Sequence, residues 1–212
     1  MDAIGHAIIT TAISDSPLVI VASAINLRYN AKGLEQLREN LPAQYAGLAD
    51  GISSHIAANA MLYTNPGFQA MKEQARPILE KHGIRDIFSE VAMEAAVDYL
   101  LLKDKSIAQR VEELWGEFDW EAAMKHVPSF SREPERAKRN ILYVRQRLSF
   151  LGIEHVGRWL ESVAEGRTGA GLAAEAYSRA AEELTDILAR DGLYMKVIGE
   201  AQVLLQKVFN FS

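Results

Sequence analysis

Apolar residues recur at three- and four-residue spacing along nearly the whole chain, and that period predicts helices rather than strands. The periodic segments are 3–14, 17–29, 32–40, 43–63, 67–82, 86–103, 106–117, 119–126, 134–151, 153–165, 169–190 and 193–209. The breaks between them carry helix punctuation. Ser16-Pro17 places an N-cap residue before a proline at the first helical position, and Pro42 can open the next long helix in the same way. Asn65-Pro66-Gly67 reads as a loop, and Ser106 with Gln109 fits a capping box. His82-Gly83 and Gly192 read as helix ends with glycine just past the last turn. Asp50-Gly51 and Asp191-Gly192 fall within or between helical patterns, so neither is a hairpin signal. Leu18 to Ile25 is the one run that also suits a strand, but it has no partner strand and is predicted to be a fully buried helix. The fold class expected is all-α, a multi-helix orthogonal bundle. It is read as one domain over 1–212, with an N-terminal half (1–103) and a C-terminal half (104–212).

Composition narrows the field of functions. Hydrophobic residues make up 49% of the 212 and charged residues 24%, an ordinary globular balance. The net charge of −5 argues against a nucleic-acid surface, which needs clustered positive potential. There is no cysteine, which excludes disulfides, thiolate metal sites and thiol catalysis. The longest apolar stretch, Leu18 to Leu27, is interrupted by Ser23 and Asn26 and is shorter than the roughly 20 residues a membrane span requires. No basic leader is apparent, so the cytoplasm is the expected location. The arginines between Arg132 and Arg147 alternate with Glu133 and Glu135 and read as a solvated face. Trp115, Phe118 and Trp120 read as core, and Gly166 to Gly171 as a plain loop.

Two polar columns stand out against this background. On the helix around Ser54, His55, Asn59 and Tyr63 follow at i, i+4 and i+8 and share one face among apolar neighbours. On a later helix, Glu90, Glu94 and Asp98 form a second column inside an apolar run. Buried polar columns need hydrogen-bond partners, counter-ions or a ligand. His6 lies on the apolar first helix, and Asn26 ends the second. Imidazoles and carboxylates gathered from several helices suit zinc, manganese or iron. The same residues also fit a structural network. Glu94 and Asp98 can pair with Arg28, Arg76 or Arg110, and the histidines and asparagines can hydrogen-bond across helices. His82, His126 and His155 read as surface or capping residues.

The phrase Ser54-His-Ile-Ala-Ala-Asn59, then Asn65-Pro66, then Glu94-Ala-Ala-Val-Asp98-Tyr-Leu resembles the zinc-dependent phospholipase C-like family. More loosely it is similar to acyl-carrier-protein phosphodiesterase. The resemblance covers residues 1–103 and implies an all-helical protein with metal ligands on facing helices. It places an early histidine at His6, an aspartate at Asn26, a His-x-x-x-Asp pair at His55 and Asn59, a further histidine near Tyr63, and a Glu-x-x-x-Asp pair at Glu94 and Asp98. The chain departs from the pattern at Asn26, Asn59 and Tyr63, which removes two negative charges and an imidazole. What the resemblance implies is one divalent ion, zinc or manganese, weakly held by His6, His55, Glu94 and Asp98. Glu90 would act as general base toward a phosphoester, with Asn26, Asn59 and Tyr63 lining the pocket. The competing expectations are a non-catalytic protein that binds a small molecule in the same cavity, and a helical interaction or scaffold protein. The apolar C-terminal helix, Leu193 to Phe211, suits a buried role or a homodimer contact.

Overall fold

The computed structural model describes residues 3–26, 31–84, 89–146 and 174–210. It is an all-α bundle. Among the described residues there are eleven α-helices and no strand. In chain order they are α1 (Ala3–Thr10), α2 (Pro17–Ser23), α3 (Ala31–Asn40), α4 (Ala46–Thr64), α5 (Pro66–Lys81) and α6 (Ser89–Lys103). Then come α7 (Lys105–Glu117), α8 (Trp120–His126), α9 (Pro134–Gln146), α10 (Ala174–Asp191) and α11 (Leu193–Asn210). Every one of the eleven places residues in a common apolar core. No helix among the described residues is long and apolar enough to cross a membrane.

The punctuation acts as local chemistry demands, with four differences. Ser16 stands at the N-cap position of α2, but its side chain makes no capping bond. Asn65-Pro66 is a one-residue joint rather than a loop. The Asn65 side chain accepts from the Phe68 N–H at 3.1 Å and Pro66 begins α5, so α4 and α5 follow almost without a break. The helix before it starts only at Ala46, because Pro42 first opens a short 3-10 turn over Ala43–Tyr45. The cap of α7 is Asp104, not Ser106; its carboxylate accepts from the N–H groups of Ser106 and Ile107 and from the Ser106 hydroxyl. At the end of α5 the reading holds. Gly83 has a φ of 70°, the Gly83 N–H bonds to Glu80 and the Ile84 N–H to Leu79, closing the last turn. The first helix stops at Thr10, four residues early, and Thr11 turns its hydroxyl onto the Ile8 carbonyl at 2.7 Å. Segment 153–165, His155 and the Gly166–Gly171 stretch lie outside the described residues. The aromatic trio packs as expected, with the Phe118 and Trp120 rings 4.7 Å apart and the Trp115 indole bonded to the Val144 carbonyl.

Burial of Leu18 to Ile25 follows from where α2 sits. Ile20 to Ile25 are inaccessible, while Leu18 and Val19, in the first turn, are half-buried. That helix lies in a notch on α4 made by Gly47 and Gly51. A β-carbon at Gly51 would stand 2.3 Å from the Val19 carbonyl oxygen and 2.6 Å from the Ala22 β-carbon. One at Gly47 would press Leu18 and Val19 at 3.2 Å. The backbone of α2 can come this close only because α4 has no side chain there. The close crossing in turn sets the Ser23 carbonyl beside the polar column of α4.

Gly51→Ala is expected to push α2 off α4 and to lower stability by about 1–3 kcal/mol or more, the range for overpacked cores. Gly116→Ala is the control. A β-carbon there meets nothing within 4 Å, so the better helix propensity of alanine should leave stability unchanged or raise it. Calorimetric melting of the two variants reads the difference; an unchanged Tm for Gly51→Ala would contradict the packing.

Candidate functional site

The two polar columns do meet other elements, and α1 is the meeting point. His6 on α1 is buried and stacks on His55 of α4, with ring centroids 4.2 Å apart and planes 29° from parallel. Asn59, one turn beyond His55, bridges the two rings. Its Oδ1 lies 3.0 Å from His6 Nε2 and its Nδ2 lies 2.9 Å from His55 Nε2. The remaining nitrogen of His55, Nδ1, is 2.7 Å from the Ser23 carbonyl oxygen at the end of α2. A turn further along α1, Thr10 and Ser54 join their hydroxyls at 2.7 Å, fully buried.

Proton placement follows from chemistry. A carbonyl oxygen only accepts, so His55 carries its hydrogen on Nδ1 and presents a lone pair at Nε2. The Asn59 amide donates to that lone pair, which leaves its oxygen to accept from the Nε2–H of His6. The chain therefore runs His6 to Asn59 oxygen, Asn59 nitrogen to His55, and His55 to Ser23. Each link is satisfied with His55 neutral. A carboxylate at position 59 could not make it, because a carboxylate has nothing to donate.

Asp98 on α6 is wholly buried and reaches backbone groups of α1. Its Oδ2 accepts from the Ile4 N–H at 2.9 Å and its Oδ1 from the Gly5 N–H at 2.8 Å. These belong to the first turn of α1, where N–H groups have no partner within the helix and the dipole favours an anion. The acid thus does from 93 residues away what an N-cap does locally. Of the arginines considered as partners, Arg76 pairs with Glu73 and Arg110 with Glu113, and Arg28 lies outside the described residues.

A second cluster forms where the other ends of the columns meet. The Tyr63 hydroxyl donates to Glu90, and Lys72 of α5 pairs with the same carboxylate at 3.0 Å. Burial tends to raise the Glu90 pKa, but the bonds from Tyr63 and Lys72 and the lysine charge outweigh it, so the group ionises below the ordinary glutamate range. The Tyr63 hydroxyl is pushed well above the ordinary phenol value, by burial first and then by its bond to Glu90 and the charges of Glu90 and Glu94. Glu94 sits half-buried on α6 between Glu90 and Asp98. Asn26 is exposed just past α2, where its carbonyl accepts from the Asn140 side chain.

Of the residues singled out in the sequence, His6, His55 and Asn59 form one bonded chain. Asp98 fastens the helix that carries His6, and Tyr63 with Glu90 forms a separate pair. Sequence reasoning missed Ser23, Lys72, Thr10 and Ser54. Lys72 had a detectable signal, a lone cation on the half-buried side of α5; a backbone carbonyl such as that of Ser23 has none. As the site is arranged, both nitrogens of His55 carry hydrogen bonds and Asn59 is a neutral amide, so His55 offers no free lone pair to a metal. Among the described residues, no three His, Asp or Glu side chains form a group able to hold a metal ion. Compared with protein-family models, curated proteins and solved structures, the chain matches none.

Asn59→Asp tests the proton assignment. The acid can hold His55 only if that ring becomes an imidazolium, so the variant raises the His55 pKa in the folded state. A raised pKa stabilises below the unfolded imidazole value of about 6.5 and the benefit is lost as pH rises through the folded value. Relative to wild type, the variant should lose about 1–3 kcal/mol at alkaline pH and recover part of it near pH ~5. Urea melts at both pH values check this, and an equal loss at the two would refute the assignment. Glu90 gives a second test with the opposite sign. Its depressed pKa contributes stability that is complete above the ordinary glutamate value and is lost as pH falls through the folded one. The stability gap between wild type and Glu90→Gln should therefore close as the solution is made acid, which thermal melts across a pH series would reveal.

Proposed function

We propose that this chain is a non-catalytic helical interaction protein, and that its polar centre is a structural cross-link between α1, α2, α4 and α6 rather than a metal centre. The observation that carries the reading is the Asn59 amide bonded to both imidazoles. An amide in that place supports two rings held by hydrogen bonds, one donated and one accepted. A metal-assisted phosphoester hydrolase, zinc- or manganese-dependent, would need His55 Nε2 to give up its bond from the Asn59 amide. That exchange would leave a buried donor unpaired, at a cost of about 1–3 kcal/mol. The hydrolase would also need carboxylate charge to lower the pKa of a bound water, and positions 26 and 59 supply none. Both imidazoles are buried and joined through Asn59, which leaves neither ring exposed to a small molecule.

Elemental analysis and calorimetric titration with zinc and with manganese should show no stoichiometric binding, and bis(p-nitrophenyl) phosphate should not be hydrolysed above the His55→Ala background. Saturable one-to-one binding abolished by His55→Ala would overturn the reading and restore the hydrolase one.

A further inference from the structure

A cleft between α8 and α9 shares no lining residue with the polar centre. It encloses about 370 Å³, at the small end of the roughly 300–1,000 Å³ of ligand pockets. Trp120 and Met124 line it from α8, and Ile141 and Leu142 from α9. Ile141 belongs to the core, whereas Leu142 is 44% exposed and has apolar contact to gain from an occupant.

The Trp120 wall is fixed in advance. Its indole N–H donates to the Trp115 carbonyl at 3.1 Å, and its ring stands edge-on to Phe118 with centroids 4.7 Å apart. These contacts hold the ring and use its one donor, so it offers a ligand only apolar surface and loses little freedom on binding. Polar recognition falls to Lys125 of α8 and Arg145 of α9, one from each wall. Both are exposed, and neither has an ion pair or hydrogen bond among the described residues. Two other cations of α9, Arg136 and Lys138, pair with acids three residues back, Glu133 and Glu135. One turn before Arg145 stand Ile141 and Leu142 instead. The one acid lining the cleft, Glu121, lies in the first turn of α8, where the helix dipole favours it, and bonds to neither cation. Two cations and one acid leave a single net positive charge above an apolar floor.

We propose that this cleft binds a small organic monoanion, a carboxylate held by Lys125 and Arg145 on a flat apolar body that lies against Trp120, Met124 and Leu142. The guanidinium can grip a carboxylate with two parallel bonds, and the ammonium adds a point charge. A neutral molecule would leave both cations without a counter-charge, and a cation would be repelled by them. The proposal goes beyond the interaction role and stands on other residues, so the metal titration does not decide it.

Isothermal calorimetry with naphthoate as the probe tests it, with naphthalenemethanol and naphthylmethylammonium as neutral and cationic counterparts. Naphthoate should bind one-to-one, about ten-fold or more tightly than the alcohol, the worth of one charge-assisted bond. The ammonium compound should not bind. Arg145→Gln and Lys125→Gln should each weaken naphthoate about ten-fold and leave the alcohol unchanged, whereas Leu142→Gln should weaken both. Arg139→Gln removes an exposed cation of α9 outside the cleft and should change neither. All four replaced side chains are exposed, so the variants should melt like wild type. Naphthoate that fails to saturate, an alcohol that binds as tightly, an equal loss in Arg139→Gln, or an affinity unchanged by Arg145→Gln or by Lys125→Gln would each overturn the proposal.

Discussion

The grip of Asp98 on the first turn of α1 is the constraint from which the polar interior follows. The first turn of a helix has four backbone N–H groups without partners inside the helix. Burying that end without a partner would cost more than its apolar residues return. A carboxylate from α6 solves this with two charge-assisted bonds, which are stronger than neutral ones. Once the end of α1 is fixed, the angle of His6 is fixed, and only then can its ring stack on His55 and reach Asn59. The α2–α4 crossing at Gly51 supplies the other boundary by bringing the Ser23 carbonyl to His55. Neither contact alone locates the histidine pair.

Much of the fold was legible because it is written locally. The three-to-four spacing marks the helices within a few residues, and signals such as His82-Gly83 act over a single turn. The burial of Ile20 to Ile25 was legible because no side of that run is polar. The errors at Pro42 and Ser106 are also local. Each signal was real, but a neighbour formed the better structure first: a 3-10 turn after Pro42, and an aspartate cap two residues before Ser106.

The site was half legible. Its columns are visible in the spacing of His55, Asn59 and Tyr63, and of Glu90, Glu94 and Asp98. What the columns do is not visible, because a buried carboxylate that binds metal and one that caps a distant helix have the same neighbours in sequence. The bonds from Asp98 to α1 end on backbone N–H groups, which every residue but proline has. The resemblance to a metallohydrolase family rests on the same columns and so inherits the same ambiguity.

The amide between the two rings has a further consequence. Hydrogen bonds through an asparagine have a direction, and the amide can reverse it only by turning over. A proton added to His55 at Nε2 would meet the Asn59 NH2 group, so the amide must flip and offer its oxygen there. Its nitrogen then faces His6, which must now present a bare Nε2 and keep its own hydrogen on Nδ1. The amide thus gives the link a polarity: one ring must offer Asn59 a lone pair while the other offers it a hydrogen.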